Sequence, residues 1–306
     1  MSKSKKKSKY SHPVKAWFIT QGWALLARLP LRWIQALAVP VARLVWRFSA
    51  RERRVSQVNV GLCFPSRTPW ERDQLARAAL LESTRTLLEM GWVWMAPQAK
   101  VLSSIRQVEG ETLVATAQAE GRPVILLGPH FGQWEMIAQW LSSRHPFTCM
   151  FAPSRIREVD QVVMQGRGRT GCRLVPTNIK GVAGLLKALK RGEVVGILPD
   201  QEPERGQGGV FAPFFGVPAL TPTLLPRLVE KTGALVLIAA VHRLPQGQGF
   251  RLCFEPVDAR VYDPDEEVSA TGVNASVEQL IRQNPAQYQW AYKRFRKRPP
   301  GEAKVY

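Results

Sequence analysis

In the stretch LLGPHFGQWEM, residues 126–136, His130 and Glu135 stand five positions apart, and the whole chain has only four histidines. A neutral imidazole near pH 7 can take a proton from a hydroxyl. A carboxylate on its other nitrogen fixes the tautomer and supports the imidazolium. The spacing limits how these two side chains meet. On a regular helix, residues i and i+5 lie about 140° apart. Contact therefore requires His130 just before a helix and Glu135 in its first turn, with Gly132 supplying the bend. The plainer alternative is a structural histidine at a strand end.

Other chemical signatures fail. GRGRTG, residues 166–171, matches GxGxxG by letter, but it follows a helix-like stretch, whereas a dinucleotide site needs strand, turn and helix. No GxSxG elbow, HExxH site or P-loop is present. Cys63, Cys149, Cys172 and Cys253 form no CxxC pair and no zinc spacing. They read as buried thiols in a reducing compartment.

The elements that would position His130 read as α/β. VILLG delivers a buried strand to Pro129-His130, and QWEMIAQWLSS then starts a helix. Further apolar runs alternate with helical segments: PFTCMFAP, REVDQVVMQGRGR, CRLVPT, GVAGLLKALKRG, EVVGILPD, a helix near 222–232, GALVLIAAVHRL and FRLCFEPV. Continuous apolar strands between helices predict a largely buried central sheet flanked by helices. Carboxyl ends of strands in such sheets are where sites form. Residues 51–100 read as helical, with a start at Ser66/Thr68 before Pro69. NPAQYQWAYKRFRKRPP, residues 284–300, reads as a helix with a basic end. That end is either a solvated face or a docking patch.

Charge is concentrated at the start. The chain of 306 residues carries 43 Lys and Arg against 24 Asp and Glu, net +19. No acidic residue precedes Glu52, and residues 1–51 hold 11 of the cations. This region is also rich in Trp, Leu, Val and Ala, which points away from nucleic acid and toward an acidic lipid surface. Residues 1–13 read as a basic disordered tail. Residues 14–50 read as a membrane-associating helical segment. Its form is open between amphipathic helices in the interface and a single span. Arg28, Arg32, Arg43, Pro30 and Pro40 interrupt the apolar run. A helical subdomain packing its Trp and Leu inward is the further alternative. Residues 51–306 would form the catalytic domain.

The GPHFGQWEM stretch resembles the His-x4-Glu box of the lipid A biosynthesis late acyltransferases, the lauroyl/myristoyl acyltransferase family. GILPDQEPERGQGGVFAPFFGVPALTPT, residues 196–223, resembles the family's Pro-Asp-Gln and Phe-Phe-Gly stretches, and WAYKRFRKRP, residues 290–299, its C-terminal signature. The resemblance implies a glycerolipid-acyltransferase-like mixed α/β fold. It also implies transfer of a fatty acyl chain from acyl carrier protein to a hydroxyl of a lipid A precursor at the cytoplasmic face of the inner membrane. His130 would be the base, oriented by Glu135. Asp200 and an Arg of GRGRTG complete the catalytic set. Arg167 and Arg169 compete for the second place, with Arg169 favoured, and a salt bridge to Asp200 is the plain structural alternative for that Arg. Gly132, Gln133, Gln201 and the arginine not used would bind substrate. Phe211, Phe214 and Phe215 would line an acyl groove, or else form core. A thioester donor implies no metal and no organic cofactor. Rival readings are another membrane glycolipid as acceptor, water as acceptor, and a non-catalytic basic membrane-binding protein.

Overall fold

The computed structural model describes residues 13–153, 156–203 and 207–306, so the basic tail falls almost wholly outside the described residues. The chain enters through α1 (Pro13–Arg28) and α2 (Leu31–Phe48), parted at Leu29-Pro30, with Pro40 accommodated inside α2. The predicted helical stretch after residue 50 is three helices: α3 (Ala50–Cys63), α4 (Pro69–Met95) and α5 (Gln98–Ser103). α4 starts where the sequence indicates. Thr68 caps it through a reciprocal box with Glu71, and Pro69 opens the first turn, an arrangement that stabilises by about 1 kcal/mol.

Strands and helices then alternate: β1 (Ile105–Glu109), α6 (Glu111–Ala119), β2 (Val124–Leu127), α7 (Glu135–Ser142), β3 (Phe147–Phe151), α8 (Arg157–Gly168), β4 (Arg173–Pro176), α9 (Ile179–Lys190) and β5 (Val194–Ile197). A hairpin follows, β6 (Gly209–Phe214) with β7 (Val217–Pro222), then α10 (Leu224–Thr232), β8 (Leu235–Arg243), β9 (Phe250–Pro256) and α11 (Glu266–Gln283). Among the described residues the main sheet has seven strands, ordered β1-β9-β8-β2-β5-β3-β4. All pairs are parallel except β8 with β9. This is the mixed α/β architecture read from the apolar runs. β2 is buried at every position. Its Leu126 faces a core formed with α1, α4 and α7, while Ile125 and Leu127 face a second core with α3, α9 and α11. Successive strand residues point to opposite faces, so a sheet covered on both sides is apolar throughout.

Two expectations differ from the fold. Residues 284–300 hold a single 3₁₀ turn, Pro285–Gln287, followed by turns rather than a helix. Tyr288, Trp290 and Phe295 are all driven into the core, and Pro285, Pro299 and Pro300 bracket the segment. The β6–β7 hairpin went unread because its strands are rich in Pro, Gly and Phe and lie outside the main sheet.

Pro30 separates Arg28, at the end of α1, from Arg32 in the first turn of α2. α1 and α2 lie along α4. Trp23, Leu26, Leu31 and Ile34 point into the first core, while Trp17, Phe18, Leu25, Trp33, Leu37, Leu44 and Phe48 remain exposed. None of the described helices is long and apolar enough to cross a membrane.

Candidate active site

Strand register places His130. β2 and β5 are parallel neighbours, with Leu127 opposite Ile197. Gly128 N–H continues the ladder to Ile197 O at 2.9 Å. His130 lies three residues beyond Leu127, and Asp200 three beyond Ile197. Two chains leaving a sheet side by side in register arrive side by side. Asp200 Oδ2 accepts from the His130 backbone N–H at 2.9 Å, and Oδ1 lies 2.9 Å from His130 Nδ1. The imidazole is thus held by Asp200, seventy residues away, and not by Glu135 as the spacing argument expected.

Asp200 is buried, whereas His130 retains 12 % of its side-chain exposure. Burial pushes the Asp200 carboxyl up, but the charge and hydrogen bonds of His130 outweigh it and hold the group below its usual value. Tyr288 also reaches Asp200. Burial first, then the Asp200 charge, push its phenol well above the usual range. With Nδ1–H donating to Asp200, Nε2 carries the lone pair and lies 3.1 Å from the Gln201 amide nitrogen. Trp134 stands edge-on to the imidazole at 4.9 Å. Nε2 is therefore the ring nitrogen on the side away from the buried carboxylate.

Glu135 begins α7, facing elsewhere. Its carboxylate accepts Arg167 Nε at 2.9 Å and Nη2 at 2.5 Å, and Trp94 Nε1 at 3.0 Å. Burial raises its carboxyl, but Arg167 and Trp94 bring it below the usual carboxylate range. The same carboxylate holds the Arg167 guanidinium above its ordinary value, against the opposing effect of burial. Arg167 is positioned by close packing one residue earlier, where any Cβ at Gly166 would come within 2.5 Å of Trp94. Residues two apart on a helix point in nearly opposite directions. Arg169 accordingly turns away and donates to the carbonyls of Ala96 and Val93 at the end of α4, at 2.6 and 2.7 Å. Of the two arginines, Arg167 and not the expected Arg169 lies beside Glu135 and the crevice. Neither pairs with Asp200. A crevice of about 40 Å³ opens between Trp134 and the Glu135–Arg167 pair, with Ile137, Phe147, Cys149 and Gly196 among its walls.

The remaining expected residues divide. Gln201 touches His130. Gly132 has φ +55°, and a Cβ there would lie 1.8 Å from Val241 O, so it docks the loop closely on β8. Gln133 is wholly buried and donates to Thr86 O and Glu89 Oε2 at 3.2 and 3.0 Å. Phe214 and Phe215 are core, in edge-on and tilted contact with Phe64, Tyr288, Trp290 and Phe295. The basic end is largely committed to the fold. Arg294 is buried on Leu220 O and Thr221, Arg296 pairs with Glu202, and Arg298 donates to Pro218 O. Trp94, Trp134 and Tyr288 escaped the sequence reading because nothing in their local pattern separates them from ordinary core. Among the described residues no group of three His, Cys, Asp or Glu side chains is placed to hold a metal ion.

An imidazole–carboxylate pair at the carboxyl edge of parallel strands, with a small crevice beside it, can serve a class of enzymes that move a proton. Sequence comparison narrows that class. Residues 3–297 match the model of the bacterial lipid A biosynthesis acyltransferase family, and the chain belongs to this family. It is similar to the lipid A biosynthesis palmitoleoyltransferase of Escherichia coli (strain K12), with 30% identity over 95% of this chain and 94% of the relative. It is equally similar, at 30% identity over 90% of each, to the lauroyltransferase of the same organism. The myristoyltransferase of that organism is 25% identical over 95% of this chain and 90% of its own.

Proposed function

We propose that this chain transfers a fatty acyl group from acyl carrier protein to a hydroxyl of a lipid A precursor, in a late step of lipopolysaccharide assembly. The observation that carries the mechanism is the His130–Asp200 contact, which fixes Nδ1 and leaves Nε2 as the free base. The acceptor hydroxyl displaces the Gln201 amide and hydrogen-bonds to Nε2. As His130 takes its proton, the oxygen attacks the thioester carbonyl directly. The tetrahedral intermediate then expels the carrier thiolate, and the imidazolium returns the proton to that sulfur. Asp200 supports the transient imidazolium charge. Arg167, fixed by Glu135, places a cation at the crevice for an anionic group of a substrate.

The surroundings support this reading. Acyl carrier proteins are acidic, and a chain of net charge +19 meets them favourably. The exposed Trp, Phe and Leu of α1 and α2 alternate with exposed Arg28, Arg32, Arg43 and Arg47. Such a face suits the cytoplasmic surface of the inner membrane, with apolar rings at headgroup level and cations on anionic lipid. Interfacial attachment through α1 and α2 follows, with residues 51–306 carrying the chemistry.

The test is incubation of detergent-purified protein with lauroyl-acyl carrier protein and an under-acylated lipid A precursor, followed by mass spectrometry of the lipid. A gain of one acyl group that His130→Ala abolishes supports both transfer and base. Thioester consumption that depends on His130 but gives no lipid product redirects the acceptor. No consumption by folded protein across several chain lengths removes the enzymatic reading.

A further inference from the structure

The loop carrying His130 is strapped from below by a buried polar network that the chemistry does not use. Its centre is Glu89, a wholly buried carboxylate in the middle of α4. Oε1 accepts from Gln35 Nε2 at 2.8 Å and Arg243 Nε at 2.7 Å, and Oε2 accepts from Arg243 Nη2 and from Gln133 Nε2 at 3.0 Å. Arg243 also donates to Thr86 Oγ1 at 2.9 Å and to Glu82, itself paired with Arg85. Two carboxylates thus meet two guanidinium groups, and the cluster closes without net charge.

The straps that run from this cluster to the loop end within three residues of His130. Thr86 Oγ1 donates to Gly132 O at 2.8 Å, and Gln133 Nε2 donates to Thr86 O and to Glu89. The Arg243 backbone exchanges two hydrogen bonds with the Gln287 side chain, at 2.8 and 2.9 Å. Gln287 O in turn accepts from Gly132 N–H at 2.9 Å. On the opposite side His130 itself is gripped by Asp200. A loop held at both ends in this way has little freedom to tilt the imidazole.

We infer that Gln133, held by the buried Glu89 carboxylate, is a positioning residue that sets the aim of His130 Nε2 in the acyl-transfer reaction. This rests on the reading of His130 as the base. The Gln133 side chain donates to α4 and its backbone N–H to β8, with no bond to His130, so its effect passes through the loop to the imidazole. Misplacing a reacting group by about 1 Å costs on the order of a hundredfold in rate.

Two matched variants test it. Gln133→Met and Gln35→Met each delete one amide donor to the same buried carboxylate, one on the loop and one on α2. Both should lower the melting temperature by similar amounts. Gln133→Met should lower kcat by about 10- to 100-fold with KM for both substrates within about threefold, while Gln35→Met leaves kcat within about twofold of wild type. Thr86→Val, which cuts the strap to Gly132, is the second variant and should reproduce the kcat loss if Gln133→Met does not fold. Equal kcat losses in the Gln133 and Gln35 variants would show a general structural role and overturn the inference. So would a wild-type kcat in Gln133→Met. His130→Ala in the same assay separates the two levels. If it is inactive while Gln133→Met is fully active, only the positioning role fails. If it remains active, the base reading fails and the positioning role with it.

Discussion

Two buried carboxylates lie close to His130, Glu135 in the chain and Asp200 in space, and each holds one nitrogen-bearing partner. They differ in what that partner can do. Asp200 grips an imidazole, a ring with one nitrogen turned away from the carboxylate. Glu135 grips a guanidinium, which keeps its charge. The first pair suits proton traffic, because the carboxylate tolerates its partner in either state. The second suits a fixed charge, because breaking it strands a buried cation. Exposure follows the same division: one face of His130 remains open, whereas Glu135 is enclosed by Arg167 and Trp94.

The strongest test of this contrast is Asp200→Asn. One of its two oxygens becomes an N–H that faces either the His130 backbone N–H or Nδ1–H. The imidazole then loses its tautomer lock, and kcat should fall by about 10²–10⁴-fold. Folding should suffer less, by about 1–3 kcal/mol, because an amide of the same shape keeps one of the two hydrogen bonds to His130. Steady-state kinetics beside thermal melting checks both. A variant with near-normal kcat would return Asp200 to a structural role.

Glu135→Gln should show the reverse balance. Arg167 loses its counter-charge while buried, and stability should drop by about 3–5 kcal/mol. Replacing both residues in Glu135→Gln/Arg167→Met should recover much of that loss, since the stranded charge is gone. If the double variant melts no higher than Glu135→Gln alone, the pair is not the source of the cost. Denaturant unfolding of the three proteins decides it.

Why did the sequence point to the wrong carboxylate? The apolar runs specify strands and helices locally, so β2, α7 and β5 were legible, and so was the strand-end setting of His130. The neighbour relation between β2 and β5 was not. It is a tertiary choice among parallel strands, and nothing in VILLG or EVVGILPD states it. Once that pairing is known, the equal three-residue overhangs of His130 and Asp200 follow from register alone. Arg167 and Arg169 failed for a related reason. Which of two alternate positions faces the site depends on where α8 ends and what it packs on. Gln133 read as a ligand group because a polar residue in a motif looks available, yet α4 covers it completely.

A second histidine sharpens the comparison with the smallest expected effect. His242 lies on β8, buried against Phe131 at 4.9 Å, with Nε2 lacking any hydrogen-bond partner. Burial, aided by the Arg251 charge and opposed by Glu109, brings its pKa down to about 4. The folded protein therefore keeps His242 neutral, while the unfolded chain protonates it below about 6.5. Stability from this residue is complete above pH 6.5 and declines as pH falls toward 4, by a total on the order of 3 kcal/mol. Melting temperatures of wild type and His242→Phe should diverge across that window, with the variant flatter. Below about pH 4.5 a second decline belongs to Glu135 and Asp200, whose depressed carboxyl pKa values make their contributions vanish only in acid. Glu135→Gln should weaken that lower decline and leave the upper one unchanged. A wild-type curve flat from pH 6.5 to 4 would mean that His242 finds a partner in solution, and the contrast between an assisted and an unassisted histidine would fall.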